Sequence, residues 1–156
     1  MLTKLQRRNS QGFTIIEVMI VLAIAALILL IVLLAVPALQ RNSRNTAIKN
    51  DASAVVAAVG EFASNNDGST PDTITQADSK VTLSKAGDTS SEAKVQTNTT
   101  VDTAAPDDTT AGHIWVAFGQ KCNDDNSHTL TASARSTAVM YNIETSSVPA
   151  PRCTDS

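Results

Sequence analysis

From Val18 to Leu39 the chain runs for 22 residues without one charged or hydrogen-bonding side chain. As a helix that run is about 33 Å long at ~1.5 Å per residue, enough to cross a ~30 Å hydrocarbon core. Its physical roles are to span lipid or to be buried among similar helices. An ordinary secretory signal is the competing reading, because Lys4, Arg7 and Arg8 form a basic leader and Val36-Pro37-Ala38 offers a small-residue cleavage site. Such signals have apolar cores of roughly 7 to 15 residues, shorter than this one.

Charge does not orient the span: three basic residues precede it, and Arg41, Arg44 and Lys49 place three more on its other side. The positive-inside rule therefore gives a tie. Cys122 and Cys153, the only cysteines, both lie in the polar part, and a cysteine pair is most useful where disulfides persist, outside the cytoplasm. That places the N-terminus in the cytoplasm and exports the C-terminal part.

Glu17 stands at the head of the run. A carboxylate at the bilayer centre costs on the order of 2.5 to 3.5 kcal/mol, and less near an interface, so Glu17 needs a partner. Its own apolar segment supplies none, and the next positive charge, Arg41, is about 36 Å away along a helix. As an acid in the first turn it also complements the helix macrodipole, an effect worth about 0.3 to 1 kcal/mol.

The junction Gly12-Phe13-Thr14-Ile15-Ile16-Glu17, the short leader ending Arg7-Arg8-Asn9-Ser10-Gln11-Gly12, and the spanning run directly behind them resemble type IV prepilins. The resemblance is close over about residues 4 to 62 and holds in outline beyond. It implies that a prepilin peptidase removes residues 1–12 by cutting Gly12-Phe13, and that the new Phe13 amine is N-methylated. It further implies that Glu17 of one subunit pairs with the Phe13 amine of a neighbour and so sets axial register in a helical homo-oligomer. The implied partners are the peptidase, a pilus assembly platform with its motor, and membrane lipid before assembly. The chain departs from the common pattern, with Ala25 and Ala26 where many relatives have a mid-run glycine and Leu34 where they have proline. Its proline is Pro37, which removes a backbone donor and clashes with the preceding turn, so a kink or local melting is expected around residues 33–37.

Past Pro37 an apolar stripe continues through Ile48, Ala52, Val55, Val59 and Phe62 in steps of four and three, the period of an amphipathic helix. Asn65-Asn66-Asp67-Gly68 reads as its stop. Residues 13–39 are thus the membrane or assembly helix and 40–66 the amphipathic one. Residues 67–112 read as a variable surface loop: from 69 to 112 there are 16 Ser or Thr in 44 positions, no aromatic residue, and only Ile74, Val81, Leu83, Val95 and Val101 as large aliphatics. Such material makes little core of its own, with one short strand at Val81 and Leu83. Asn98-Thr99-Thr100 matches an N-glycosylation acceptor, a triplet common by chance.

Alternation returns in 113–156: Ile114, Val116 and Phe118, then Leu130, Ala132 and Ala134, then Val139, Tyr141 and Ile143. Turns are expected at 119–126 and at Ser136. An antiparallel sheet of three or four strands laid on the helical stripe, one face buried and the other wet, is the economical packing. The expected class is α+β, a long N-terminal helix on a small antiparallel sheet. Cys122 and Cys153 resemble the pair that bounds the C-terminal loop of pilins, two unpaired thiols being the alternative.

Other chemistry is poorly supported. Without residues 1–12 the chain keeps nine basic against fifteen acidic side chains, so no nucleic-acid surface is expected; only Arg41, Arg44 and Lys49 cluster, suited to lipid head groups or to neighbouring acids. His113, His128 and the two cysteines make no zinc spacing, and Asp124-Asp125 reads as a polar turn before it reads as a cation site. No glycine-rich phosphate loop is present. The expectation is a structural protein, not an enzyme, without cofactor or metal: a pilus subunit, or alternatively a pseudopilin of a type II secretion or competence apparatus. A single-pass anchored ectodomain is the alternative of another class.

Overall fold

A computed structural model describes residues 12–86, 90–96, 98–104, 110–123 and 128–156. The chain divides into two compact units, one ending at Leu39 and the other running from Gln40 to Ser156. Helix α1, Ile15–Asn65, contributes to both.

In the first unit every described residue is solvent-exposed. No polar side chain interrupts the helix from Val18 to Leu39, so in water this segment would leave its whole apolar surface wet. Pro37 lies inside α1, and the backbone stays helical through residues 33–37, with no unwound turn.

In the second unit the stripe of α1 is buried as its spacing predicts: Ile48, Ala52, Val55, Ala58, Val59 and Phe62 all face inward. The helix ends where Asn65-Asn66-Asp67-Gly68 places the stop. Asp67 and Gly68 both take positive φ, at 52° and 78°, and the Gly68 N–H donates back to the Ala63 carbonyl at 2.8 Å, satisfying one orphan carbonyl of the last turn.

The segment from 67 to 112 is not a loop with one strand. It forms β1 (Thr73–Ala77), β2 (Lys80–Ser84), β3 (Ser91–Lys94) and β4 (Thr100–Asp102). The first three make an antiparallel sheet in the order β1-β2-β3. Its few aliphatics fall at alternate positions, so Val81 and Leu83 of β2 and Ala93 of β3 all point inward, joined there by Ser91, while Thr82 and Ser84 of β2 take the other face. Low apolar content misled because burial requires only every second residue of a strand to be apolar. Here the helix supplies the rest of the core.

The second sheet contains β4, β5 (His113–Cys122), β6 (Leu130–Ile143) and β7 (Ala150–Asp155), in that order. It is antiparallel except for β4, which pairs parallel to β5. Ser136 does not turn the chain. Phe118 faces Thr137 and Gln120 faces Ala132, so Gly119, at φ 70°, stands opposite four residues of β6 and the break is an irregular bulge within one long strand. The C-terminal tail also differs from expectation. It is a strand, and Pro151 is tolerated there because β7 lies at the sheet edge.

Val101, Ile114, Val116 and Val139 of this sheet join the helical stripe, Val81, Leu83, Ala93 and Val95 in one core. The opposite face is not wholly wet. Trp115 and Met140, cross-strand partners, are both buried, with His113 stacked on the indole at 5.8 Å between ring centroids and His128 edge-on at 5.6 Å. His128 comes from the β5–β6 connection. Because Leu83 is fully buried in a strand, Leu83→Ala should destabilise the protein by about 2–5 kcal/mol in denaturant titration in detergent micelles; a surface-loop leucine would cost next to nothing.

Candidate functional site: the N-terminal junction

Gly12 and Phe13 precede the helix and are exposed, Phe13 to 90%. Helix α1 begins on a reciprocal cap. The Thr14 N–H and hydroxyl both donate to Glu17 Oε2, at 2.9 and 2.7 Å, and the Glu17 N–H donates back to Thr14 Oγ1 at 3.3 Å. Threonine followed three residues later by glutamate is the sequence signature of this capping box, so Thr14 and Glu17 carry the signal locally. Glu17 thus takes its hydrogen bonds from Thr14, which precedes the apolar run. Thr14 is uncharged, however, so the cap satisfies lone pairs and orphan donors while leaving a net negative charge at the head of the apolar run. Both Thr14 donors survive a cut between Gly12 and Phe13, which would place a cation one residue before the cap.

On the other side of the apolar run, in the second unit, Arg44 grips Glu144 by two parallel bonds, Nε to Oε1 at 2.7 Å and Nη2 to Oε2 at 2.6 Å. Asn45 adds a second pair of bonds to the same residue: its side-chain amide donates to the Glu144 carbonyl at 2.8 Å and accepts from the Glu144 N–H at 2.7 Å. Arg44 is therefore engaged within its own unit, and of the basic cluster read from sequence Arg41 and Lys49 have no ion pair among the described residues. Hydrogen bonds from Arg44, opposed by slight desolvation and aided by the charges of Arg44 and Arg41, hold the Glu144 carboxyl below its ordinary value. The Arg44 guanidinium is held above its own ordinary value, chiefly by the Glu144 hydrogen bond.

A second polar fastening lies deeper. Asp51, 6% exposed on α1, accepts from Thr99 Oγ1 at 2.6 Å and from the Gln96 N–H at 3.1 Å, while Ser91 donates to the Ala58 carbonyl at 2.6 Å. Gln76 of β1 bridges the sheets, donating to the Thr99 carbonyl and accepting from the Val101 N–H, both at 2.7 Å. None of these pairings was readable beforehand, since each joins residues at least 23 positions apart.

Cys122 and Cys153 form a disulfide, with Cα atoms 5.7 Å apart and a sequence separation of 31. It ties the tip of the β5–β6 hairpin to edge strand β7, and the Cys122 N–H also donates to Asp155 at 3.1 Å. In the chain-entropy account a loop of this size contributes between about 3 and 4.7 kcal/mol. Asp124 and Asp125 lie outside the described residues. Among the described residues no three His, Cys, Asp or Glu side chains gather as a metal site.

Residues 7–33 match the family model for the prokaryotic N-terminal methylation motif, a stretch that takes in the end of the leader, the Gly12-Phe13 junction, Glu17 and most of the apolar run. The chain carries the N-terminal motif of a type IV pilin-like prepilin. The motif implies a prepilin-peptidase substrate, and the one long apolar helix among the described residues fits a membrane-anchored protein. No curated protein and no solved structure matches the chain.

The lowered pKa of Glu144 gives the Arg44–Glu144 clasp a pH signature. The pair stabilises the fold fully above the ordinary glutamate value of about 4.3 and loses that contribution as pH falls through the lowered folded-state value. Glu144→Gln should therefore lower the unfolding midpoint at neutral pH and converge on the unsubstituted protein in acid; parallel profiles at all pH values would show the clasp to be idle.

Proposed function

We propose that this prepilin is the precursor of a structural subunit of a type IV pilus filament, cleaved after Gly12, N-methylated on Phe13 and polymerised through the N-terminal part of α1. The supporting observation is the conjunction, inside the matched segment 7–33, of an exposed Gly12-Phe13 junction, a capped but uncompensated Glu17 and an apolar run with no polar break. In this reading the helix passes from lipid to a core of like helices. Apolar surface stays out of water throughout, so the transfer free energy changes little and the step is reversible by a separate motor. The Phe13 amine of one subunit meets Glu17 of another and supplies the charge that Thr14 cannot. The second unit, closed by its disulfide, is displayed outside the cytoplasm, where adhesion, surface attachment or twitching motility follow.

The protein acts without cofactor or catalytic group in this role. Its partners are further copies of itself, the peptidase, the assembly platform and motor, and lipid before assembly.

Intact mass and N-terminal analysis of the protein in cell-surface shear fractions should give a chain that begins at methylated Phe13. An uncut chain confined to membranes would turn the reading toward an anchored ectodomain. Glu17→Ala should still be cleaved and held in the membrane yet give few filaments, counted by electron microscopy. Normal filament numbers from that variant would remove the pairing step.

A further inference from the structure

The connection between β6 and β7, Glu144 to Pro149, is ordered by its own bonds. Thr145 Oγ1 donates to the Val148 carbonyl at 2.6 Å and accepts from the Ser147 N–H at 3.3 Å. This turn presents Val148, 66% exposed and the one large aliphatic left exposed among the described residues of the Gln40–Ser156 unit. A single exposed valine ordinarily needs no explanation. Its tether gives this one a place.

Glu144, the first residue of the turn, is held by Arg44 and Asn45 through four hydrogen bonds. Those two residues follow Leu39, the end of the apolar run, by five and six positions. Six residues rise about 9 Å as helix and reach no more than about 22 Å when extended. The clasp therefore stays within that reach of the run's end in any relative orientation of the two units. When the run spans a bilayer its end lies at the border of the ~30 Å hydrocarbon core, where head groups add some 5 to 8 Å per side. The turn carries no net charge of its own, because Arg44 neutralises Glu144. Arg41, whose charge is felt at Glu144 and which has no ion pair among the described residues, supplies a cation beside it.

We infer that the β6–β7 turn is a lipid-docking surface of the membrane-held precursor. Val148 enters the boundary between head groups and acyl chains, and Arg41 binds an anionic phospholipid phosphate. This rests on the reading of Val18–Leu39 as the membrane span. Docking fixes the exported unit against the bilayer before assembly, and entry into a filament must release it.

The test uses the full chain in vesicles of phosphatidylglycerol and phosphatidylcholine. Single tryptophan probes, Val148→Trp, Leu30→Trp and Ser64→Trp, are each placed in a Trp115→Phe background and read by quenching from shallow or deep doxyl-labelled lipid. Ser64 is exposed near the C-terminal end of α1, roughly 30 Å along the helix from Arg44 at ~1.5 Å per residue. The expected result is loss of fluorescence from the Val148→Trp probe with shallow label and from the Leu30→Trp probe with deep label, with the Ser64→Trp probe unaffected. Arg41→Gln should weaken the shallow quenching, and an unchanged signal would overturn the phosphate contact. A quenched Leu30→Trp probe beside an unquenched Val148→Trp probe would overturn docking while leaving the span intact. An unquenched Leu30→Trp probe would overturn the span and docking with it. Shielding of the Val148→Trp probe in filaments alone would assign the turn to a subunit contact and overturn the lipid assignment. Because Trp115 is buried, the unmodified chain is also labelled with a photoreactive phospholipid and mapped by mass spectrometry. Adducts on residues 144–149 are expected, and adducts confined to 18–39 would overturn docking.

Discussion

One apolar stripe holds the Gln40–Ser156 unit together. Val55, Val59 and Phe62 are almost wholly removed from water, and strands from both sheets reach the same stripe, through Val81, Leu83 and Ala93 on one side and Val101, Ile114, Val116 and Val139 on the other. Neither sheet has enough aliphatic residues to bury a face alone. The first has three short strands and the second ends in a three-residue parallel edge. Hydrophobic burial is therefore shared through the helix, and a sequence rich in Ser and Thr still folds because α1 supplies much of the apolar surface its strands need.

Burial on that scale brings polar groups inside with it, and several are satisfied across long sequence distances. Asp51 and Ser91 join α1 to the β3–β4 segment and Gln76 joins the sheets, while nearer the surface Asn45 with Arg44 closes the end of β6. Losing one partner of such a bond leaves a buried donor or acceptor unsatisfied, which costs more than the bond itself contributes. These bonds therefore select one arrangement of strands more than they add to stability. The disulfide joins Cys122, which faces Leu130 at the start of β6, to Cys153, which faces Met140 near the end that the Arg44–Glu144 clasp also holds.

Two carboxylates, Glu17 at the head of the apolar run and Glu144 at the end of β6, meet different fates. Glu144 is matched by a guanidinium and is chemically complete within the subunit. Glu17 receives only neutral donors from Thr14 and keeps its charge at the edge of a segment that cannot be solvated. That difference is why assembly chemistry is sought at Glu17, and why Arg44, basic and close to the membrane in sequence, is not free to serve a neighbour.

Much was legible in the chain itself. The unbroken run Val18–Leu39, the steps of three and four from Ile48 to Phe62, the stop at Asp67-Gly68, and the alternation at Ile114, Val116 and Phe118 are short-range patterns set by helix and strand geometry, and each appears where its spacing puts it. The Thr14-x-x-Glu17 cap is as local and was equally available. What tertiary structure decided was everything that depends on partners far away in sequence. Four strands arise in 73–102 because core from α1 covers them, Ser136 sits in a bulge because β5 continues opposite it, β7 forms because β6 offers an edge, and Trp115 is buried because His128 returns over it. A period of two or of 3.6 states which side of an element is apolar, but only the packed structure determines what covers that side.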